Sequence, residues 1–339
     1  MIAITGATGL LGVYLLAEFV QHGHAARGLY RDDAGLHRAK HVLELLGMEQ
    51  VFAKVHWVQG SLEDPASIDA LLEGASGVIH AAGTVSFSPK ARRTLERTNI
   101  TGTESMVNAA LELEPRPRFI QISSVAALGR SEKEEVITEA SHWTDSAQNS
   151  HYAYTKFAAE REVWRGFEEG LTGAILNPSI ILGAGSWETS SARLIHTVYH
   201  GFPFYSEGVN SVVDAGDVAR SARILMERSE INHQRFITAG PPISYRNLLF
   251  AIADALGVKR PRYSPPRWVS GLAWRLEAVR TFFTRTEPML TRETVLAGHG
   301  KSRYDAARAR EVLGVDFKDA QAILSSLAPL FLKDQRERS

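Results

Sequence analysis

The stretch TGATGLLG, Thr5 to Gly12, constrains this chain more than any other feature, because it lies directly between the apolar run IAIT and a segment of helical character. Glycines so spaced, between a strand and a helix, build a turn for a phosphate group. Gly6 permits the tight turn, Gly9 lets the backbone approach a pyrophosphate, and Gly12 lets the helix pack on the strand. Thr8, Leu10 and Leu11 belong to the same cradle. A glycine trio alone is common, so its weight depends on the pattern of the rest of the chain.

Further short apolar runs come after it: AARGLY, VHWVQ, GVIHAA, RFIQISS and a sixth strand, GAILNPSII. Helical stretches around 10–22, 34–47, 65–73, 89–113 and 151–169 alternate with them. Strands that alternate with helices predict an α/β fold, a Rossmann-type doubly wound parallel sheet whose ligand crevice lies at the strands' carboxyl ends. SVVDAGDVARSARILME reads as a short strand into a helix and RFITAG as another strand. From about 244 the pattern is mainly helical, with prolines at 261–266 marking a turn or linker. The expected division is a dinucleotide-binding domain over 1–175, with 211–240 returning to it, and a smaller substrate-binding cap over 176–210 and 241–335.

Composition removes several functional classes. Lys plus Arg equals Asp plus Glu, 38 against 38 in 339 residues, so no net charge favours nucleic acid or an anionic membrane, and a small-molecule ligand is expected. There are 0 cysteines, which excludes disulfides, thiolate metal sites and a cysteine nucleophile. That fits a reducing compartment, as does an N-terminus with no basic leader, and a cytoplasmic location is expected. Apolar runs are too short or interrupted to span a bilayer. PPRWVSGLAWRLEAVRTFF, 265–283, is amphipathic and is read as a lid or core helix rather than a membrane contact. No metal site is expected.

The second strand ends in RGLYRDD. Tyr30 stands where a carboxylate would select NAD, and Arg31 follows it, able to fork onto a phosphate. NADP(H) is therefore preferred, with NAD(H) as the alternative. Asp32 and Asp33 lie past the strand end and suit helix capping.

In HYAYTKFAAE, residues 151–160, two tyrosines precede Lys156. Tyr152 is four residues from the lysine and shares its helix face, whereas Tyr154, two residues away, does not. A phenol titrates near pH ~10 and becomes a useful acid or base only when a cation such as Lys156 favours its ionised form. Spacing nominates Tyr152 and leaves Tyr154 to packing. A tyrosine lying along a lysine is also ordinary surface packing.

With these motifs go HAAG at 80–83, NITGT at 99–103, ISSVAALG at 122–129 and LNPSIILGAG at 176–185. Together they make the chain resemble an extended short-chain dehydrogenase/reductase over nearly its whole length. Within that superfamily of NAD-dependent epimerases and dehydratases it is most similar to the dihydroflavonol-reductase-like and 3β-hydroxysteroid-dehydrogenase-like branch, including EPMLTRETV and YDAARAREVLG in the tail. The resemblance implies a triad of Ser124, Tyr152 and Lys156. Ser124, rather than Ser123, would bond the substrate oxygen, Tyr152 would exchange a proton with it, and Lys156 would hold the nicotinamide ribose. It further implies that Ala81, Ala82 and Gly83 lie against the cofactor with Asn99 behind them, that Pro178, Ser179 and Ile180 border the nicotinamide, and that Ser61 and Leu62 meet the adenine. Two departures stand out: Ser61 replaces a common aspartate, and Asn177 stands where an arginine is common.

Substrate contacts are expected from Thr84, Ser124, Tyr152 and Trp187, within a pocket formed by 130–150, by 184–206 with Phe204, and by the C-terminal helices. Small residues after strands, and tryptophans or phenylalanines in this region, are equally often packing. His142 and His151 are read as structural or exposed rather than catalytic. The helices at 89–113 and 151–169 pair subunits in many relatives, so a homodimer is an expectation.

The function implied is NADP(H)-dependent hydride transfer with a ketone, aldehyde or secondary alcohol. One alternative is a nucleotide-sugar epimerase or dehydratase that retains its cofactor. Dehydratases of that kind carry an acidic pair after the fifth-strand serine or threonine, where this chain reads SSVAALG, and the sugar enzymes tend to carry Phe-Asn where it reads NPSI. A second alternative is a non-catalytic NADP-binding sensor or scaffold.

Overall fold

The computed structural model describes residues 1–129, 136–146, 149–266, 274, 295 and 298–338. Among these are twelve strands: β1 (Ile2–Thr5), β2 (Ala26–Tyr30), β3 (Val55–Gln59), β4 (Gly77–His80), β5 (Arg118–Ile122), β6 (Val136–Ile137), β7 (Gly173–Pro178), β8 (Ile180–Leu182), β9 (Val209–Asp214), β10 (Gln234–Thr238), β11 (Pro242–Ser244) and β12 (Arg303–Tyr304). Seven form one parallel sheet in the order β10-β7-β5-β4-β1-β2-β3. The chain reverses direction across the sheet between β1 and β4, so their carboxyl ends part and leave a crevice. Beside it lie a three-stranded sheet, β11-β9-β8, and the parallel pair β12-β6.

The principal helices among the described residues are α1 (Leu10–Gln21), α2 (Asp33–Leu45), α3 (Glu49–Lys54), α4 (Pro65–Leu72), α5 (Arg92–Leu95), α6 (Gly102–Glu112), α7 (His151–Glu168), α8 (Arg193–Tyr199), α9 (Ala215–Glu227), α10 (Tyr245–Leu256), α11 (Ala307–Leu313) and α12 (Ala320–Arg338). Side chains fix several of their starts. Asp32 accepts from the Gly35 amide at 2.6 Å and Ser150 from the Ala153 amide at 3.0 Å, each a cap of about 1 kcal/mol. One apolar cluster, including Leu15, Phe19, Phe236, Ile252 and Phe331, binds α1, α9 and the C-terminal helices to one sheet face. A second, with Leu71, Met106, Phe119, Val163 and Phe167, seats α4, α6 and α7 on the other. Burying both faces is what a parallel sheet requires.

The structure differs from the sequence-based expectation in four places. GAILNPSII is not one strand: β7 ends at Pro178, and β8 joins the small sheet after the Ser179 amide turns to the Thr238 carbonyl at 3.0 Å. Proline has no N–H with which to continue the ladder. β9 belongs to the three-stranded sheet, so within 211–240 it is α9 and β10 that rejoin the main layer. The stretch 89–113 is a short 3₁₀ turn, α5, a π segment over Glu96–Thr101, and α6, rather than one regular helix. The short helix α3 has no counterpart among the expected elements. The 265–283 segment and most of EPMLTRETV lie outside the described residues, as does part of the 130–150 loop.

Candidate active site

The glycine loop behaves as its spacing implies. Gly6 has φ +66°, and a β-carbon there would lie 2.8 Å from the Ala81 and Ala82 backbone. A β-carbon on Gly12 would strike the Gly6 carbonyl oxygen. Gly9 is the N-cap of α1 and offers no side-chain cap, so the amides of the first turn remain directed at the crevice mouth. Loop and helix end together form a fitting seat for a pyrophosphate.

The opposite wall is held by a chain of buried hydrogen bonds whose protons can be followed. Thr103 donates its hydroxyl proton to the Asn99 carbonyl at 2.6 Å, so its oxygen accepts from His80 Nε2 at 3.1 Å. His80 Nδ1 is then bare and accepts from Thr5 Oγ1 at 2.8 Å. The Thr5 oxygen in turn accepts from the amides of Ala81 at 3.1 Å and Ala82 at 3.0 Å. This arrangement needs neutral imidazole, and burial, assisted by the charge on Lys156, holds the His80 pKa down to about 3. Asn99, inside the π segment, receives the Thr84 amide at 2.8 Å and donates to the Thr84 carbonyl at 3.0 Å and to Thr155 at 3.0 Å. The irregular turn thereby ties the segment leaving β4 to α7.

α7 carries Tyr152 and Lys156. Lys156 is buried, donates to the Ile122 carbonyl at 3.1 Å, and a β-carbon on Gly83 would lie 3.8 Å from its Nζ. Burial pushes its pKa down to about 8, against an upward pull from Glu160. Tyr152 is one turn earlier, its ring edge on Phe87 at 6.0 Å. Burial raises the phenol's pKa, and a hydrogen bond with Ser124 pulls the other way. Ser124 caps a 3₁₀ turn by accepting from the Ala126 amide at 3.1 Å, which leaves its own proton to donate. The Asn177 amide donates to the Ser124 carbonyl at 3.0 Å and to Glu160 Oε1 at 2.5 Å. That pair of hydrogen bonds is the local role of the asparagine found where an arginine is common.

Of the residues singled out in the sequence, Gly6, Thr8, Gly9, Leu10, Leu11, Gly12, Ala81, Gly83, Thr84, Tyr152 and Lys156 line one crevice of about 420 Å³. A larger groove of about 670 Å³ along α12 contains none of these groups, so size does not mark the site. Ala82, Asn99 and Ser124 are not among the lining residues; Asn99 bonds to Thr84 and Ser124 to Tyr152, both of which line it, and Ala82 bonds to Thr5. Pro178, Ser179 and Ile180 also fall outside it, and the next residue, Ile181, takes their place. Ser61 caps its own turn through the Glu63 amide at 3.1 Å, and Leu62 packs against Gly102 at the start of α6. Arg31 is exposed just past β2, outside the lining.

Trp187 requires a correction. It is 1 % exposed, its indole donates to Asp334 at 2.8 Å and its ring meets Phe331 edge-on at 5.1 Å, so it belongs to the core and cannot touch a substrate in the crevice. Tyr154 is exposed rather than packed inside, its ring stacked on His151. Arg38 and Val85 line the crevice without having been singled out, whereas Gly185, Ser186, Thr189, Ser190 and Ser191 fall within the 184–206 stretch expected to form the pocket. Arg38 was legible, because it lies on α2 just beyond the strand end that carries Arg31. The hydroxyls at 186–191 reach the crevice only through the tertiary path of the loop after β8.

Glycine cradle, neutral histidine wall and Ser-Tyr-Lys cluster define an NAD(P)-dependent oxidoreductase of the extended short-chain dehydrogenase/reductase type. Residues 2–237 match the NAD dependent epimerase/dehydratase family, and the chain belongs to that family. It is 28% identical over 318 residues to sterol demethylase protein B of Methylococcus capsulatus, covering 92% of each chain. It is 25% identical over 320 residues to a putative dihydroflavonol 4-reductase of Synechocystis, covering 92% of this chain and 89% of that one. In fold it resembles the UDP-glucose 4-epimerase of Thermotoga maritima, with a TM-score of 0.77 at 18% identity over 98% of this chain and 99% of the other. Among the described residues no helix is long and apolar enough to cross a membrane, and no group of acidic, histidine or cysteine side chains could hold a metal ion.

Proposed function

We propose that this protein is an NADP(H)-dependent reductase or dehydrogenase for a ketone, aldehyde or secondary alcohol, with Tyr152 as proton donor in reduction and acceptor in oxidation. The observation that carries the reading is that Tyr152 and Lys156 line the same crevice as the uncapped glycine loop, with Ser124 bonded to the phenol. When bound, the dinucleotide supplies or takes the hydride; the chain's share is orientation and charge. Lys156 would hold the ribose while its ammonium faces the phenol. Ser124 would direct the carbonyl oxygen to the Tyr152 proton. With its pKa raised, Tyr152 rests as the neutral phenol, the form needed to reduce a carbonyl.

The NADP(H) preference rests on Arg38, which lines the crevice near Thr8, and on Arg31, exposed just past β2. No carboxylate follows Ser124 in SSVAALG to abstract a further proton, which favours net oxidation or reduction over dehydration. A cytoplasmic location and a homodimer through α6 and α7 belong to the same proposal.

The deciding experiment is a screen with NADPH deuterated at C4 against ketones, aldehydes and a few nucleotide sugars. Stoichiometric formation of oxidised cofactor, with deuterium in a released alcohol, is expected. Conversion of a nucleotide sugar with no net cofactor oxidation would instead establish the epimerase or dehydratase reading.

A further inference from the structure

Glu160 lies on α7 one turn beyond Lys156 and is 2 % exposed, a depth at which carboxylates are rare without partners. Its surroundings come from three strands. Ser123, at the end of β5, lies beside the carboxyl group. Asn177 on β7 donates to Oε1 at 2.5 Å, and the Arg235 guanidinium on β10 lies 3.5 Å from Oε2. Arg235 is fixed in turn, donating to the Glu139 carbonyl at 2.8 Å and the Ser141 carbonyl at 2.7 Å, while the Glu139 carboxylate accepts the Ile237 amide at 2.9 Å. Neither Glu160 nor Arg235 lines the crevice. A buried carboxylate behind a buried ammonium is therefore anchored to the edge strand of the main sheet.

We infer that Glu160 and Arg235 form a positioning pair behind Lys156 that keeps the lysine in its ammonium form and so sets the pH range over which the site works. The inference rests on the reading of Lys156 as a catalytic residue and extends the machinery to β10. At i,i+4 spacing the carboxylate is close enough to favour the lysine's charge against burial. Burial raises the Glu160 pKa, and Ser123, Arg235, Asn177 and Lys156 oppose that rise by favouring the carboxylate. The groups to be weighed are few. Lys156 lies one helical turn from Tyr152 and from Glu160 and acts electrostatically on Glu160 and on His80 of β4; Glu160 faces Arg235; and Arg235 donates to the Glu139 carbonyl.

The test reads the lysine directly, without substrate or cofactor. In protein labelled with ¹³C at lysine Cε, one resonance is expected to titrate near pH 8, well below the exposed lysines, and to vanish in Lys156→Arg. In Glu160→Gln its midpoint should fall by about one pH unit or more, the scale of losing one nearby opposite charge. Arg235→Gln, which leaves the carboxylate to be neutralised, should lower the midpoint in the same direction, and Arg235→Lys should leave it near the wild-type value. Folding of each variant is checked by its circular dichroism and NADPH affinity. In turnover with a carbonyl found by screening, the high-pH limb should move down with the lysine midpoint. An unchanged midpoint in folded Glu160→Gln overturns the inference, and so does an equal fall in Arg235→Lys and Arg235→Gln. Retained turnover in Tyr152→Phe would overturn the functional reading instead, so the two failures are told apart.

Discussion

Replacing Asp334 tests how the C-terminal helix is locked to the nucleotide-binding layer. The carboxylate is fully buried on α12 and accepts from the Trp187 indole at 2.8 Å, from His41 on α2 at 2.8 Å, and from Arg338 at 2.9 Å. Its partners differ in worth. The His41 and Arg338 side chains are 39% and 47% exposed, so each pair contributes only about 0–1 kcal/mol after screening. The indole has no solvent to replace its acceptor, and stranding it costs about 1–3 kcal/mol. Asp334→Ala should therefore destabilise the protein by about 2–4 kcal/mol, read from the urea midpoint at unchanged slope. Trp187→Phe keeps the ring on Phe331 but removes the donor, so the double variant should cost less than the sum by about 1–2 kcal/mol. A loss below about 0.5 kcal/mol, or strict additivity, would refute this reasoning. Trp187→Phe should also leave KM for a carbonyl substrate within about 2-fold of wild type, whereas a residue touching substrate would raise it further.

The site itself yields three more perturbations. His80 has a folded pKa near 3, below its ordinary value of 6.5, so its stabilising contribution is complete above pH 6.5 and is lost as pH falls toward 3. The slope from this group is about 1.4 kcal/mol per pH unit within that window, and it should flatten in His80→Gln as measured by urea melts across pH. Arg38→Gln should weaken NADPH by roughly 10- to 100-fold, the loss of a charge-assisted phosphate contact, and NADH by far less in the same fluorescence titration. Equal losses for both cofactors would remove the phosphate contact. Gly12→Ala should abolish binding of either dinucleotide, because its β-carbon meets the Gly6 carbonyl; unaltered binding would mean the loop is not the seat.

Much of this was legible in the chain because local rules agree with the tertiary outcome. The glycine loop, the capping aspartate at 32 and the four-residue spacing of Tyr152 and Lys156 are each determined within one turn of backbone. What escaped depends on long-range placement. No local pattern says that Trp187 meets Asp334, 147 residues later, or that the guanidinium nearest Glu160 comes from β10. The π segment at Asn99 reads as ordinary helix in sequence, since its widened turn is selected by the bonds Asn99 makes to Thr84 and Thr155. The small sheet was missed because Pro178 ends one ladder inside an apolar run that has no other punctuation.

The central claim is that the Tyr152 phenol transfers the proton that accompanies hydride transfer. Its most direct measurement is kcat/KM of Tyr152→Phe for NADPH-dependent carbonyl reduction, beside the variant's NADPH affinity. A fall of about 10²- to 10⁴-fold with affinity within a few-fold of wild type is expected of a lost general acid. Turnover unchanged within a few-fold, in protein that still binds NADPH, would contradict it.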